Sequence, residues 1–295
     1  MEETLNTHKK WQICDGFTLK IIAIITMTLD HIAVVSTYFG LSSIVFEIFM
    51  AIGRLSLPLF CFLIVEGVLH TKSFKNYALR LGIMAIIIST SIALCGYIPS
   101  LGLEQVKSFG NIFLDLLLGA FAIFALRQDG YKKLLAIIPL VLVSLSFAAG
   151  KYEIISGAEV YWYPFFLRTQ YDFLSFGLIL LFYASYLLKD LFFKYQTSRE
   201  GTTPDLYNGT DYERLVVNLI SLGFLVSIAL LFHFFGDVLS IRYYDTQIYC
   251  LFAGAFILLY NGKRGYNSKY FQYAGYIYYP VHILIIGLVF YLLFI

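Results

Sequence analysis

The chain has 295 residues, of which 59% are apolar and only 14% are charged, and its mean hydropathy is +0.76. In a soluble domain about a quarter of the residues are charged. The composition therefore excludes a soluble domain and predicts an integral membrane protein. The net charge of +2 gives no reason to expect a nucleic-acid partner. The four cysteines lack the spacing of a metal site, and no metal is predicted.

Nine apolar segments follow one another along the chain, and most approach the roughly 20 residues that an α-helix needs to cross a bilayer. They cover residues 17–38, 43–68, 79–99, 109–126, 133–150, 172–193, 214–236, 245–260 and 277–294. The predicted fold class is therefore an all-α integral membrane protein with about nine transmembrane helices. No repeat of fixed period is visible, so residues 1–295 are predicted to form a single polytopic membrane domain.

The distribution of Lys and Arg predicts the orientation, because cytoplasmic loops carry an excess of these residues. A cytoplasmic N-terminus places sixteen of them in inner segments, beginning with Lys9 and Lys10. Only four then fall in outer segments: Lys107, Lys151, Arg168 and Arg242. This asymmetry predicts a cytoplasmic N-terminus and a C-terminus outside.

Two of the connections are long enough to interpret. Residues 151–171 contain the run Tyr-Trp-Tyr-Pro-Phe-Phe at 161–166 and are predicted to form an external aromatic loop, either anchored at the interface or covering a cavity. Residues 195–213 are polar and contain two glycines and a proline, which predicts a flexible cytoplasmic linker.

Two ionisable residues, Asp30 and His31, lie in the middle of the first apolar segment. Ionisable groups at that depth are costly and are by default assigned to a functional site. A rise of 1.5 Å per residue places His31 about 20 Å from the cytoplasmic end of its helix. The same arithmetic places polar residues from four segments at a similar depth: Asp30, His31, Arg54, Asn111, Asp115 and Gln247.

The buried charges at this depth require partners. Successive residues of a helix point about 100° apart, so Asp30 cannot orient the ring of its neighbour His31. Asp30 and Arg54 form the natural ion pair, which leaves Asp115 to hold one imidazole nitrogen and to fix the tautomer of His31. In the alternative interpretation, the Asp–Arg pair only locks two helices together.

A second group of polar residues is predicted at the cytoplasmic face. Glu66 and His70 end the second segment, and Tyr-Tyr-Pro-Val-His at 278–282 begins the last one. Between the eighth and ninth segments lies Tyr-Asn-Gly-Lys-Arg-Gly at 260–265, where two cations between glycines would suit a phosphate-bearing ligand. An ordinary cytoplasmic turn would explain the same pattern.

These motifs together resemble the TraX family of membrane acyltransferases, which includes the pilin acetylases of conjugation systems. The resemblance rests on motifs in the family's order over nearly the whole chain: Asp-Gly-Phe at 15–17, Leu-Asp-His at 29–31, Gly-Arg-Leu-Ser-Leu-Pro-Leu-Phe at 53–60, Glu66-Gly67, Asn111, Gly119, Gln247, and the motifs at 260–265 and 279–282. The chain is more distantly similar to the acyltransferase-3 group, where a membrane-embedded His and Arg serve the reaction. In this chain, His31 and Arg54 are the residues of the same types that correspond to that His and Arg.

The resemblance implies an acetyl-CoA-dependent O- or N-acetyltransferase of the bacterial cytoplasmic membrane. Acetyl-CoA would be the acyl donor on the cytoplasmic side. The acceptor would be a hydroxyl or amine at or beyond the membrane, on a pilin-like protein N-terminus, an envelope glycan or a lipid-linked sugar.

In this mechanism His31 is the general base, Arg54 or Asn111 stabilises the oxyanion, and Asp30 or Asp115 holds the reacting groups in place. The residues expected to contact CoA at the cytoplasmic mouth are Lys263, Arg264, Asn261, Arg80, His282 and Glu66.

The competing function is a proton-coupled transporter or flippase, because buried Asp, His and Arg residues would serve a proton relay equally well. Transporters often contain paired half-repeats with broken helices. The sequence shows no such paired half-repeats, which favours the enzyme.

Overall fold

The computed structural model of the protein describes residues 11–41, 43–97, 109–239 and 245–294. Four of the cations used to predict the orientation, Lys9, Lys10, Lys107 and Arg242, lie outside these ranges. Within the described ranges the long regular elements are all helical, and the one β-bridge joins Cys14 to Tyr260.

Among the residues that the structure describes, ten α-helices can be numbered in chain order. They are α1 (Gly16–Tyr38), α2 (Ile44–Gly53), α3 (Ser56–His70), α4 (Phe74–Tyr97), α5 (Ile112–Leu126), α6 (Ile137–Ser156), α7 (Asp172–Glu200), α8 (Asp211–Leu239), α9 (Ala253–Leu258) and α10 (Lys269–Phe294). Short 3₁₀ helices lie at Gly130–Ala136, Phe165–Leu167, Pro204–Tyr207 and Asp245–Phe252, and the first and last of them continue directly into α6 and α9.

Seven helical stretches of the described residues are long and apolar enough to cross a membrane. This confirms the predicted all-α membrane protein. The fourth and eighth predicted crossings correspond to the shorter apolar helices Ile112–Leu126 and Asp245–Leu258. The number of crossings and the orientation of the termini therefore stay predictions.

The second predicted crossing is broken in its middle. α2 ends at Gly53 and α3 begins at Ser56, with Arg54 between them. Pro58 explains the break, because it has no N–H to donate to the carbonyl oxygen four residues earlier, which is that of Arg54. This single interruption is not a paired half-repeat, so the expectation that the chain lacks paired half-repeats with broken helices stays a prediction.

The last helix begins earlier than the hydropathy predicts. α10 starts at Lys269, after Ser268, whose hydroxyl accepts a hydrogen bond from the N–H of Phe271 at 3.0 Å. This is the geometry of a helix N-cap. His282 is consequently thirteen residues inside α10, about 20 Å from its start, and not near the start of the last helix as predicted.

The contacts divide the chain into two compact units, and the division falls within α3, α7 and α8. The first unit comprises Met1–Leu63, Leu181–His233 and Tyr244–Ile295, and the second comprises Ile64–Leu180 and Phe234–Tyr243. In the core of the first unit, Phe62 meets Phe182 and Tyr260 edge-on, with ring centroids 5.5 and 5.4 Å apart. In the core of the second, Leu118 and Val143 pack with Phe176.

The structure describes both long connections, and the polar one is more ordered than the flexible linker that its composition predicts. In the polar segment at 195–213, α7 continues to Glu200, and the ring of Tyr207 stacks on Phe193 at 4.8 Å. In the aromatic segment at 151–171, Tyr163 is buried and its hydroxyl donates toward the carbonyl oxygens of Leu142 and Leu167, both at 3.0 Å. A stacked aromatic pair fixes the polar segment, and a buried, hydrogen-bonded tyrosine fixes the aromatic one.

Candidate active site

The site is built on α1 and α10 of the first unit, which run side by side in the same direction. Contacts between them recur along the whole pair. They are the rings of Phe17 and Phe271 at 4.7 Å, the hydroxyls of Thr28 and Tyr278 at 2.7 Å, and the rings of Phe39 and Phe290 at 5.6 Å. Because the residue numbers rise together along both helices, the two helices are parallel.

Two imidazoles meet between these helices. Nδ1 of His31 lies 2.7 Å from Nε2 of His282, a hydrogen-bonding distance. The ring of Tyr279 stands edge-on to both, with centroids 6.3 Å from His31 and 5.7 Å from His282. The partner of His31 is thus a second histidine and not the carboxylate of Asp115 that the sequence predicts.

His282 is itself held tightly by its own helix. Its Nδ1 lies 2.8 Å from the carbonyl oxygen of Tyr278, one turn earlier. Its ring stacks on that of Tyr278 with the two planes parallel and the centroids 4.9 Å apart. His282 is only 3% exposed, so both nitrogens face protein atoms.

The predicted ion pair of Asp30 and Arg54 is confirmed. Nη2 of Arg54 donates to Oδ1 of Asp30 at 2.8 Å, and the two side chains are 14% and 6% exposed for Asp30 and Arg54 respectively. The guanidinium also contacts Oε1 of Gln247 at 3.4 Å and the sulfur of Met50 at 3.1 Å. Three of the six residues that depth arithmetic groups together are therefore in direct contact.

Gly53 allows this pair to form. A Cβ at Gly53 would lie 2.6 Å from Oδ1 of Asp30 and 2.9 Å from its Cα, inside van der Waals contact. The backbone of α2 can therefore approach α1 closely only because residue 53 has no side chain. The break that follows places Arg54 at the end of α2, beside the carboxylate of Asp30.

Asp115 lies in the second unit and has a different role from the one predicted. Its carboxylate accepts hydrogen bonds from the backbone N–H groups of Gln170 at 2.6 Å and Tyr171 at 3.1 Å, and from the hydroxyl of Ser175. It is 1% exposed. Asp115 thereby fixes the start of α7 to α5, which is a structural task.

Asn111 is also used structurally. Its side-chain oxygen accepts from the N–H of Phe113 at 3.0 Å and caps the N-terminus of α5. Its amide group donates to the carbonyl oxygen of Ala85 at 2.6 Å and to the hydroxyl of Ser89 at 2.9 Å. These bonds employ the donors that an oxyanion would need.

Two residues predicted to contact CoA, Glu66 and Arg80, also belong to the second unit. Glu66 is buried, with its carboxylate 3.6 Å from Nδ1 of His70. The guanidinium of Arg80 lies 5.9 Å from the ring centroid of Tyr77. These contacts neither support nor oppose a role in ligand binding.

The other predicted CoA-binding residues on the loop after α9 lie in the first unit, at the N-terminal end of α1. That loop is tied to the residues before α1 by three backbone hydrogen bonds. They run from Cys14 N to Leu259 O at 2.9 Å, from Asn261 N to Cys14 O at 2.8 Å, and from Gly16 N to Lys263 O at 2.8 Å. Lys263 and Arg264 are exposed on this loop.

Local turn chemistry shapes the loop. Oδ1 of Asn261 accepts from the N–H of Lys263 at 2.9 Å, and Gly262 and Gly265 have positive φ angles of 72° and 70°. A Cβ at Gly265 would lie 2.7 Å from Oδ1 of Asp15, the residue that caps α1. The glycines are therefore required for both the turn and the close approach to Asp15.

Lys20 is a further cation at this end that sequence reasoning missed. It lies on α1, its ammonium is 5.7 Å from the ring centroid of Phe271, and Arg264 is close enough to repel it. Among the described residues no carboxylate forms an ion pair with Lys20. Lys20, Lys263 and Arg264, hereafter the cationic end, therefore concentrate positive charge beside the start of α1.

The sequence also contains a pattern that predicts the position of His282 within the last helix, which hydropathy alone places incorrectly. Ser268 followed by Lys-Tyr-Phe-Gln at 269–272 is a helix start with an N-cap residue. Extending the last helix back to Ser268 would have placed His282 at the depth of His31. Hydropathy alone hides this, because the first two turns of α10 are rich in tyrosine.

Comparison with known proteins agrees with the motifs. The family model described as TraX protein matches residues 15–190. A curated relative, the probable fimbrial assembly protein FimC, serogroup H1, of Dichelobacter nodosus, is 34% identical over 137 residues. That stretch covers 45% of this chain and 54% of the relative, so the match spans about half of the relative's length.

No solved structure matches the chain. The family match includes α1, the broken α2–α3 pair and the Asp30–Arg54 ion pair, and it covers more than half of the chain. The chain therefore belongs to the TraX family.

Proposed function

We propose that this protein is a membrane-embedded acyltransferase that moves an acetyl group from cytoplasmic acetyl-CoA to an acceptor hydroxyl or amine. The observation that carries the proposal is the position of the imidazole pair in the first unit. The pair lies between α1 and α10, and His31 directly follows Asp30 of the ion pair. His31 also shares α1 with Lys20 of the cationic end.

The dimensions suit acetyl-CoA. Lys20 and His31 are eleven residues apart on α1, which is about 16 Å at the helical rise of 1.5 Å per residue. Pantetheine with its thioester spans about 15–20 Å when extended, by bond geometry. Phosphates bound at the cationic end would therefore bring the thioester to the depth of His31.

The two ends of this stretch of about 16 Å along α1 offer the two functions that the reaction requires, phosphate binding and proton transfer. Phosphate groups favour binding to Lys and Arg side chains and to exposed backbone N–H groups, which the loop at 260–265 offers. At the other end, an imidazole is the side chain best suited to take a proton near neutral pH.

The reaction balances as a direct acyl transfer. A nitrogen of His31 takes the proton of the acceptor O–H or N–H as the acceptor atom attacks the thioester carbonyl carbon. The C–S bond then breaks, the CoA sulfur leaves as a thiolate, and it takes up the proton. The products are the acetylated acceptor and CoA.

Arg54 would stabilise the negative charge that develops on the carbonyl oxygen. Asp30 holds the guanidinium in place at 2.8 Å, so little reorganisation is needed during the reaction. The closed hydrogen-bond sets of Asn111 and Asp115 remove them from this mechanism. The proposed mechanism therefore assigns oxyanion stabilisation to Arg54 and not to Asn111, and it assigns the positioning carboxylate to Asp30 and not to Asp115.

The comparisons support an acceptor in the bacterial envelope. The D. nodosus relative is named as a fimbrial assembly protein, and the sequence motifs resemble those of pilin acetylases. We place this protein in the bacterial cytoplasmic membrane and propose a pilin-like protein, an envelope glycan or a lipid-linked sugar as the acceptor.

The test of the base uses purified protein in nanodiscs with radiolabelled acetyl-CoA and envelope extract as acceptor. We expect His31→Ala to lower the transfer rate about 1,000-fold, since general base catalysis contributes about 10²–10⁴-fold. His233→Ala is the matched control, because His233 is exposed on α8 and has no part in the mechanism. Wild-type transfer by His31→Ala would overturn the assignment.

Binding of the donor is tested separately by calorimetry with acetyl-CoA. Lys20→Ala and Arg264→Ala should each weaken binding about tenfold, the loss of one charge-assisted phosphate contact. Lys132→Ala, an exposed lysine of the second unit, should change binding little. Dephospho-CoA and pantetheine serve as truncated ligands. If Lys20→Ala and Arg264→Ala weaken acetyl-CoA binding no more than Lys132→Ala does, the cationic end is an ordinary turn.

The break between α2 and α3 favours one second candidate, a proton-coupled transporter or flippase. Discontinuous helices commonly form transporter binding sites, and Arg54 lies where this helix is interrupted. A transporter has no reason to bind acetyl-CoA. Absence of acetyl-CoA binding together with proton uptake into proteoliposomes would favour this candidate.

A further inference from the structure

The contacts of His282 leave only one arrangement of protons in the neutral imidazole pair. A carbonyl oxygen can only accept a hydrogen bond, so Nδ1 of His282, 2.8 Å from the carbonyl oxygen of Tyr278, must carry a proton. In a neutral imidazole the other nitrogen is then an acceptor. Nε2 of His282 therefore presents a lone pair.

That lone pair faces His31. Nε2 of His282 and Nδ1 of His31 are 2.7 Å apart, which requires one proton between the two nitrogens. Because Nε2 of His282 accepts, Nδ1 of His31 must donate. In the neutral pair, Nε2 of His31 is then the nitrogen without a proton.

We infer that His282 is a positioning residue that fixes the tautomer of His31 and leaves Nε2 of His31 as the basic nitrogen. The chain of hydrogen bonds runs from Nδ1 of His31 to His282 and ends at the Tyr278 carbonyl oxygen. This inference rests on the proposed function for its catalytic meaning, but the tautomer itself can be measured without any turnover.

The surroundings of the pair hold this arrangement. The ring of Tyr278 lies parallel to that of His282, and its hydroxyl is fixed by Thr28 of α1 at 2.7 Å. The imidazole of His282 therefore has little freedom to turn its nitrogens around. A carboxylate usually performs this orienting task for a catalytic histidine, and here a backbone carbonyl oxygen performs it through a second histidine.

The first measurement is ¹⁵N NMR of histidine-labelled protein in nanodiscs, with the His31 signals assigned by their loss in His31→Gln. Protonated and unprotonated imidazole nitrogens have widely separated shifts. We expect Nδ1 of His31 to be protonated and Nε2 to be unprotonated. The opposite tautomer in the wild-type protein would overturn the inference, whether or not acetyl transfer is observed.

The second measurement is kinetic and compares two replacements. The side chain of His282→Gln places an amide oxygen near the position of Nε2, so it can accept from Nδ1 of His31. His282→Leu fills similar space and accepts nothing. We expect His282→Leu to lower kcat about 100-fold with KM for acetyl-CoA unchanged, and His282→Gln to retain kcat within about fivefold.

His233→Leu serves as the control for replacing a histidine elsewhere in the same unit. Equal losses of kcat in His282→Gln and His282→Leu would overturn the positioning role, as would a change confined to KM. If the wild-type protein shows no acetyl transfer but has the expected tautomer, the proposed function fails while the arrangement of protons stands.

Discussion

Two groups of buried or half-buried polar side chains lie on apolar helices of this chain. One, in the first unit, contains Asp30, His31, Arg54 and His282. The other, in the second unit, contains Asp115 with Ser175 and the backbone N–H groups at 170 and 171. Both are shielded from solvent, with Arg54 6% exposed and Asp115 1% exposed. Burial and depth alone do not separate them.

The groups differ in the kind of partner that each polar atom has. Asp115 accepts from donors that are largely backbone N–H groups, which keep their protons at any ordinary pH. The pair of His31 and His282 instead shares a proton between two nitrogens that can both gain or lose one. The first arrangement holds a loop in place, and the second can pass a proton on.

The kind of partner indicates whether an ionisable residue in a membrane helix has a functional or a structural role. Such residues are costly, and a functional role is the default hypothesis. Asp115 shows the exception: a carboxylate with a full set of fixed donors serves the fold. Its partners distinguish it from Asp30, whose partner is the side-chain charge of Arg54.

The strongest effect on stability is expected at the ion pair. Arg54→Ala leaves the carboxylate of Asp30 buried without its cation, and breaking a buried pair in this way costs about 3–5 kcal/mol. We expect the thermal midpoint in detergent to fall accordingly. Asp30→Asn added to Arg54→Ala should recover part of the loss, because a neutral amide needs no counter-charge.

The double variant is the control for that prediction. If the two substitutions destabilise additively, the charges do not interact strongly in the folded protein. The first group would then resemble the second, a set of separate structural contacts.

Asp115→Asn is expected to have a smaller effect, and only on stability. The amide N–H₂ that replaces one carboxylate oxygen would face a backbone N–H or a hydroxyl, because the present partners of Asp115 all donate to it. A buried donor left without an acceptor costs about 1–3 kcal/mol. The free energy of unfolding should therefore fall by about 2 kcal/mol, with kcat and KM for acetyl-CoA unchanged per folded molecule.

Asp190→Asn is the matched control for that substitution, because Asp190 is an exposed carboxylate on α7 with 69% of its side chain accessible. Its ion pair with Lys189 should contribute little. A loss of turnover in Asp115→Asn at full stability would mean that Asp115 takes part in the chemistry, and the contrast between the two groups would fail.

The part of the fold set by local composition could be predicted from the sequence. Apolar length indicates the helices, and opposite charges at matched depth indicate the pair of Asp30 and Arg54, which the structure confirms. The break after Gly53 was also within reach, since Pro58 cannot donate to the carbonyl oxygen of Arg54. Its consequence was missed because the surrounding residues are mostly apolar.

The partners of the buried groups could not be predicted in the same way. Those of Asp115 are backbone N–H groups of a connecting segment, which leave no mark in the side-chain pattern. The partner of His31 depends on where α10 begins. Moving that start from residue 277 to Lys269 takes His282 from the membrane face to the depth of His31. A depth calculated from the helical rise is correct only when the predicted start of the helix is correct.

The smallest effect is expected at Tyr163, in the loop that leads to the partners of Asp115. Tyr163→Phe removes the single hydroxyl proton that two carbonyl oxygens share, and it should lower the free energy of unfolding by about 1 kcal/mol at neutral pH. Burial raises the pKa of Tyr163 to about 12. Its unfolded pKa is about 10, so the neutral hydroxyl contributes stability that is fully present below about pH 10 and is lost as the pH rises through about 12.

Thermal unfolding between about pH 8 and 12 measures this contribution. The decline in the midpoint should be shallower for Tyr163→Phe than for the wild-type protein, because the variant has no phenol to ionise at this position. Parallel declines would place the alkaline sensitivity elsewhere in the chain. The second group would then owe its rigidity to the fixed donors around Asp115 and not to the loop that leads to them.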